Sequence, residues 1–534
     1  MLLVNPPLVK PSEPPPGIAR LRGALLAAGL DCSVIDANIE AILHLLRVSP
    51  SQSDKWTARA LRNRERNLAA IRNAGGYSDI QRYKRIVCDL NRLIELSGNG
   101  GPDRISLSNH GRDDLSPVRS GDLIRAAEEY EKNPFYQYYS RRLSEVMERD
   151  RPEIAGLSLN FLSQALTAFS MAGYIRARFP RVKIVMGGGL VTSWLRNPHW
   201  NDPFSGLVDS MVDGPGEQAL LAMAGKRDGL VRAGRSGESP LPTTSSGLER
   251  SRVFADCRFP VPDYSALPIS DYFAPGPIVP YSASSGCYWN RCAFCPETAE
   301  GTPYQPVGPA EAVRQAGRLV QEMRPALLHF LDSAISPALL QKIADNPLGV
   351  PWYGFVRVTR RLSDEDFCRK LRRSGCVMLK LGLESGDQGV IDEEGKGIDL
   401  AIASKTLISL KKAGIGTYVY LLFGTPSESE AEGRNTLDFT VRHSPYIDFL
   451  NLAIFNMPMN SPDAQKFGTA PHYGGDLSLY TGFEHPKGWG RAQVRHFLDR
   501  EFKRHPAIAP IVASDPPFFT SNHAPFLYHQ SEKG

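Results

Sequence analysis

Apolar and polar positions alternate in blocks that read as strand, helix, strand along most of the chain. Leu2–Asn5 is a short apolar run closed by Asn5-Pro6-Pro7, and a proline-rich loop continues to Pro16. Residues 17–28 place Ile18, Leu21, Leu25 and Leu26 at helical spacing and stop at Gly29, and 31–37 predicts the next strand. The rhythm resumes with a strand over 153–159, a helix over 161–179 and a strand over 182–186 that ends in Gly187-Gly188-Gly189. A strand over 209–213 follows, and Gly214-Pro215-Gly216-Glu217 opens a helix over 218–224. Strands separated by helices predict a parallel, doubly wound α/β sheet.

Residues 40–150 interrupt this series without a strand pattern. Helices are expected over 61–71 and 83–96, and a loop over 97–120, which is rich in Gly, Ser, Asn and Asp. Lys and Arg alternate there with Asp and Glu without a strong charge excess, so the insertion reads as a solvated helical cap rather than a nucleic-acid surface. The polar stretch 227–250 reads as a linker.

A second regular series begins with the strand Ile278–Tyr281 and continues over 326–331, 352–358, 376–383, 417–423 and 449–455, with a helical stretch in each gap. Six βα units result, two short of a closed eight-stranded barrel. Beyond Asn460 the rhythm stops, and the aromatic stretch 516–528 is expected to pack over the barrel mouth. The resulting division is an α/β domain at 1–250 with an insertion at about 40–150, a linker at 251–277, a barrel at 278–460 and a C-terminal extension at 461–534.

With 534 residues the chain exceeds one core, and 42% hydrophobic and 22% charged residues are ordinary for a globular protein. Lys plus Arg number 62 against 57 Asp plus Glu, and a net charge of +5 demands neither nucleic acid nor an anionic membrane. No apolar run reaches the roughly eighteen residues of a membrane span, and the N-terminus lacks the pattern of a signal peptide. A cytoplasmic location is expected. Cys32, Cys88, Cys257, Cys368 and Cys376 are scattered singly, which suits a reducing compartment.

The densest chemistry lies in Ser284-Ser285-Gly286-Cys287-Tyr288-Trp289-Asn290-Arg291-Cys292-Ala293-Phe294-Cys295-Pro296-Glu297, directly after the strand Ile278–Tyr281. Three cysteines spaced C-x4-C-x2-C on one loop point to a single inorganic centre, because a disulfide framework needs pairs and an oxidising compartment. Zinc takes four ligands, and no second Cys or Cys/His pair follows at zinc spacing. A four-iron cluster fits better: four thiolates normally hold it, so three leave one iron open to a non-protein ligand. A structural zinc loop and three buried free thiols are the bland alternatives.

This loop resembles that of the radical S-adenosylmethionine enzymes, whose usual spacing is C-x3-C-x2-C. The present chain has one extra residue in the first gap, while Phe294 before the last cysteine agrees. The resemblance implies a six-stranded partial (β/α)6 barrel and a 4Fe-4S cluster on Cys287, Cys292 and Cys295. It also implies cleavage of S-adenosylmethionine to a 5′-deoxyadenosyl radical, with electrons from a flavodoxin or ferredoxin. Chemistry in such barrels sits at the C-terminal strand ends. Gly382-Leu383-Glu384-Ser385-Gly386 resembles the ribose-contacting turn of the family, which places Glu384 and Ser385 at S-adenosylmethionine, with a helix cap as the alternative for Ser385. Arg357 is a candidate partner of the methionine carboxylate, and Asp332 and Ser333 of its ammonium. Tyr288 and Trp289 are expected to shield the cluster or to pack the loop.

Residues 1–38 and 151–226 together resemble the Rossmann-like cobalamin-binding domain that precedes many of these barrels. The resemblance implies cobalamin along the proline loop and Gly187, Gly188 and Gly189. None of the 11 histidines has Asp two residues before it, so a bound cobalamin would lack a histidine on its lower face. Methylation or another modification of a small molecule or peptide is the implied reaction, with no nucleic acid or membrane as partner. A cobalamin-independent radical enzyme, an RNA-modifying methylthiotransferase and a non-catalytic homologue are the rivals. The methylthiotransferase would bring a further cysteine-rich domain and a terminal RNA-binding barrel, and neither is visible.

Overall fold

A computed structural model describes residues 1–48, 54–98, 101–225, 259–467, 469–470, 474–519 and 523–528. The first sheet starts with β1 (Leu2–Asn5), helix α1 (Pro16–Ala27) and β2 (Ser33–Asp36). The insertion follows as α2 (Ala37–Arg47), α3 (Lys55–Ile71), α4 (Ile80–Ser97), a hairpin of β3 (Asp103–Ile105) and β4 (His110–Arg112), α5 (Ser120–Glu128) and α6 (Tyr136–Asp150). The chain then returns through β5 (Ile154–Ser158), α7 (Leu162–Arg178), β6 (Lys183–Gly187), α8 (Gly189–Leu195), β7 (Ser210–Met211) and α9 (Glu217–Met223). The strand order is β2-β1-β5-β6-β7, all parallel. Strands β1, β5 and β6 are short and apolar because helices cover both of their faces.

Two expectations for the insertion need correction. The supposed loop 97–120 contains the β3–β4 hairpin, pinned by Asp103 to His110 at 2.9 Å and by His110 to Thr167 at 3.2 Å. The helices also do not form a solvated cap. Tyr83, Val87, Leu90, Leu93 and Ile94 of α4 are buried in one core with β1, β5 and α7. The pattern 83, 87, 90, 94 is a helical stripe, and it packs onto the sheet domain because that is the nearest large apolar face.

The second sheet carries the barrel. It comprises β8 (Ile278–Tyr281), a two-residue pairing of β9 (Ser284–Ser285) with β10 (Gln305–Pro306) around the short helix α10 (Pro296–Ala299), then α11 (Pro309–Met323), β11 (Leu327–Phe330), α12 (Pro337–Asp345) and β12 (Trp352–Val356). After α13 (Glu365–Arg373) come β13 (Cys376–Glu384), α14 (Gln388–Glu393), α15 (Leu400–Lys412), β14 (Gly416–Phe423), α16 (Glu430–His443) and β15 (Phe449–Ile454). The order β8-β11-β12-β13-β14-β15 is parallel throughout, with β8 and β15 as its two edges, so the six βα units form an open, partial barrel.

The extension forms a three-stranded sheet, β16 (Met457–Pro458), β17 (Thr469–Ala470) and β18 (Tyr480–Phe483), and further short helices. Its last described helix, Ala524–Tyr528, corrects the expectation of a lid over the mouth. Ala524 is buried with Ile278, Leu327, Met378 and Phe449, which lie in the first residues of their strands, and Leu527 abuts Gly416 at the start of β14. Residues 524–527 form the barrel's floor, while Phe518 and Phe519 pack against the first domain's core. Together with Ala274 from the segment before β8, residues 524–527 cover the apolar lower opening of the partial barrel. Cys257 and the predicted linker 227–250 lie outside the described residues, and no helix among those described is long and apolar enough to cross a membrane.

Candidate functional site

The cysteine loop leaves β8 and is anchored from below. Asp332, just past β11, accepts hydrogen bonds from Ala283 N at 3.1 Å and from the Ser284 hydroxyl at 2.5 Å. At Gly286, φ is +70° and a Cβ would lie 2.5 Å from the Pro303 carbonyl oxygen, so only glycine allows the turn that starts the cysteine segment.

The loop docks against a turn after α14. Ala293 N donates to Glu394 O at 3.0 Å, and the Trp289 indole donates to Gly395 O at 2.9 Å. The turn is Gly395-Lys396-Gly397, and a Cβ on Gly397 would sit 2.3 Å from the Trp289 ring. Arg357 stacks over the same ring with its guanidinium 3.7 Å from the centroid and donates to the carbonyl oxygens of Lys396 and Gly397. Among the described residues its Nε is buried without a partner. Lys396 in turn reaches Glu384 at the end of β13, Nζ to Oε1 at 2.7 Å. Burial alone would lower the Lys396 pKa, but Glu384 turns the balance and raises it.

Cys287, Cys292 and Cys295 are all unpaired thiols on this loop, and Cys292 is buried. Burial pushes the Cys292 thiol up to about 11, although Lys396 pulls it down, and raises Cys295 as well. Among the described residues no three His, Cys, Asp or Glu side chains converge on the position of one metal ion. A four-iron cluster does not require that. Each thiolate binds a different iron, so the donors surround the cluster instead of meeting at a point. Three thiols on one loop, beside the cations Lys396 and Arg357, are the donor set such a cluster takes.

The other expected residues divide into two groups. Glu384 and Arg357 face the cysteine loop from β13 and just beyond β12, and the left-handed φ of +70° at Glu384 turns the chain there. Ser385 and Asp332 are committed elsewhere. Ser385 is buried, lies 3.1 Å from the Thr436 hydroxyl and accepts from Asp387 N, so it fixes the turn rather than facing a ligand. Both oxygens of Asp332 hold the loop, and burial raises its pKa. Ser333 is exposed and donates to Glu297 at 2.8 Å. Sequence reasoning missed Lys396, whose signal was a lysine between two glycines that both adopt φ of +63°.

On the first sheet, the central glycine of Gly187-Gly188-Gly189 is required for packing. Its φ is +107° and a Cβ would lie 2.3 Å from the Leu159 carbonyl oxygen. Gly189 N donates to Asn160 Oδ1 at 3.0 Å. Gly187 and Gly189 have no comparable crowding, and Phe161, next in sequence to Asn160, is 60% exposed. The following helix α8 faces the cysteine loop: Ser193, Trp194 and Trp200 line a narrow cleft with Pro296, Glu300 and Met459, and Arg196 bonds Thr302.

No protein-family model matches the chain, and no curated protein matches it in sequence. Solved structures do. The radical S-adenosylmethionine methyltransferase TsrM from Kitasatospora setae, with tryptophan substrate and a S-adenosylmethionine analogue bound, matches with a TM-score of 0.50 at 18% identity over 86% of this chain and 74% of TsrM. The same enzyme with cobalamin and a [4Fe-4S] cluster matches equally well at 17% identity, over 87% of this chain and 74% of that one. OxsB, a cobalamin-dependent S-adenosylmethionine radical enzyme solved with aqua-cobalamin and S-adenosylmethionine, matches at TM-score 0.50 and 14% identity over 67% of this chain and 60% of its own. The chain has the fold of the cobalamin-dependent radical S-adenosylmethionine enzymes.

Proposed function

We propose that the protein is a radical S-adenosylmethionine enzyme that binds cobalamin and methylates, or otherwise modifies, a small molecule or peptide. The observation that supports this most directly is the single loop that carries three unpaired thiols at the C-terminal rim of an open six-stranded barrel. Cys287, Cys292 and Cys295 would hold the cluster, which when bound supplies the electron that cleaves S-adenosylmethionine to methionine and a 5′-deoxyadenosyl radical. Glu384 would accept hydrogen bonds from the ribose hydroxyls, its carboxylate held by Lys396. Arg357, buried against Trp289 with an unused Nε, supplies the positive charge that a methionine carboxylate needs. Asp332 holds the base of the loop, and Ser333 is left at the rim for the substrate or the methionine ammonium. Electrons come from a small carrier such as a flavodoxin or ferredoxin, and the compartment is cytoplasmic.

The test is anaerobic reconstitution with iron, sulfide and hydroxocobalamin, followed by dithionite and S-adenosylmethionine. About four irons per chain with release of 5′-deoxyadenosine is the expected result. A chain that holds no iron sinks the proposal.

A second reading has a specific observation behind it. Gly188 is explained by the Leu159 carbonyl and the Gly189 amide by Asn160, so the sheet edge is accounted for without a ligand. A radical enzyme whose first domain binds no cobalamin would retain iron but no cobalt after desalting.

A further inference from the structure

Below the rim, a buried polar chain crosses from the barrel to the first domain. Lys380 lies in the middle of β13, four residues before Glu384, about 13 Å along an extended strand. Its Nζ is 3.1 Å from Nε2 of His329 on β11, and Nδ1 of His329 is 2.9 Å from Oε2 of Glu13 in the proline loop between β1 and α1. An ammonium only donates and a carboxylate only accepts. The imidazole is therefore neutral, accepting at Nε2 and donating from Nδ1.

The chain is held on its flank as well. The His329 ring stacks on Tyr353 with centroids 4.1 Å apart and planes 7° apart, and Lys380 Nζ lies 5.1 Å from the same ring. His329 and Lys380 are 5% and 7% exposed. A buried lysine and a largely buried glutamate are costly unless each is paired, so losing one end weakens the pairing of the other.

The same proline loop is tied to the segment that leads into β8, where Phe273 N donates to Pro11 O at 2.7 Å and Phe273 is buried in the first domain's core. Its other side is tied to its own domain: Ser163 Oγ donates to Leu8 O at 2.8 Å and Val9 N to Asn38 Oδ1 at 2.8 Å. The loop thus spans two bodies, with Glu13 reaching His329 of β11 and Lys10 of the same loop close enough to act on both Glu13 and Lys380.

We propose that Glu13, His329 and Lys380 are positioning residues that set the conformation of the 6–17 loop and, through it, the affinity of the first domain for cobalamin. The consequence for cobalamin rests on the function proposed above. The positioning itself does not.

The experiment uses full-length, iron-reconstituted protein as wild type, Glu13→Ala, Glu13→Gln and Lys380→Met. Hydroxocobalamin titration and cobalt content after desalting are read beside iron content, and hydrogen exchange is followed on peptides covering 8–17. Glu13→Ala and Lys380→Met should weaken cobalamin about tenfold and speed exchange in the loop at unchanged iron content. Glu13→Gln should recover most of both, because its amide oxygen still accepts from His329. Wild-type affinity in Glu13→Ala, or iron lost in parallel with cobalt, overturns the proposal. If the wild type itself retains no cobalt, the cobalamin reading fails and exchange decides: a loop equally protected in all four proteins overturns the positioning role, and faster exchange in Glu13→Ala and Lys380→Met alone upholds it.

Discussion

The two parallel sheets end in opposite ways. At the C-terminal edge of the first, polar side chains consume one another. Asn5 donates to Asp36 at 2.8 Å, Tyr272 donates to the other Asp36 oxygen at 2.5 Å, and Gln164 bridges Asn5 and the Pro6 carbonyl at 3.1 and 2.8 Å. At the edge of the second, among the described residues, three thiols remain unpaired, the Arg357 Nε has no partner, and Glu384 has one cation for a carboxylate that can accept several bonds. Spare bonding capacity in a buried setting is expensive, and a fold keeps it where a ligand will use it. By that measure the barrel rim is the stronger site, and the first sheet's edge is built first for packing.

The comparison breaks most visibly at the cysteines. Cys292→Ala removes one of three ligands, and iron bound after anaerobic reconstitution should fall to about a tenth of wild type or less. Unchanged iron content and visible spectrum would show that the loop binds no cluster.

On the first sheet, Gly188→Ala should cost about 3 kcal/mol or more, since the new Cβ meets the Leu159 carbonyl oxygen at 2.3 Å and φ is +107°. Gly187→Ala and Gly189→Ala should cost much less in thermal melts, because nothing lies closer than 3.6 Å to the Cβ of either. If all three cost the same, the packing account of the central glycine is wrong.

Glu384→Gln keeps the shape of the rim but loses the charged partner of Lys396. S-adenosylmethionine affinity, measured by calorimetry on the iron-loaded protein, should drop by a factor of about 10 to 100, in line with about 1.5–3 kcal/mol for a charged hydrogen bond. Ser385→Ala should leave it near the wild-type value, since that hydroxyl already faces Thr436.

The smallest effect concerns Asp36. Burial raises its pKa from 3.8 to about 6, against the hydrogen bonds of Tyr272 and Asn5 that lower it. A folded pKa above the unfolded one contributes stability that is complete below about pH 4 and is lost as pH rises through about 6. Asp36→Asn should therefore gain on the wild type by about 1–3 kcal/mol between pH 4 and pH 8, as two pKa units at 1.36 kcal/mol each imply. A stability difference that does not move with pH contradicts this.

Much of the fold was legible because periodicity is a local property. The strands Leu2–Asn5 and Ile278–Tyr281 stand where their apolar runs place them, and the later barrel strands start or stop within a few residues of the expected bounds. The cysteine spacing and the Gly-x-Glu turn were legible as chemistry for the same reason: few residue types do that work. What sequence could not supply was which neighbour each side chain meets. Ser385 and Asp332 looked like ligand contacts and are spent on Thr436 and on Ser284. A lysine inside the apolar strand 376–383 was a visible anomaly, yet its partners come from β11 and from a loop more than three hundred residues away.

The sequence by itself therefore determined the two series of βα units, the cysteine loop after the first strand of the second series and the absence of a histidine in the Asp-x-His pattern, since each is written in spacing along the chain. Only the tertiary structure decided that residues 524–527 are a floor and not a lid, that the insertion shares the core of the first domain, and that Glu13 closes a chain with His329 and Lys380. Those outcomes depend on which apolar face is left uncovered and which buried charge lacks a partner, and neither quantity exists until distant segments have met.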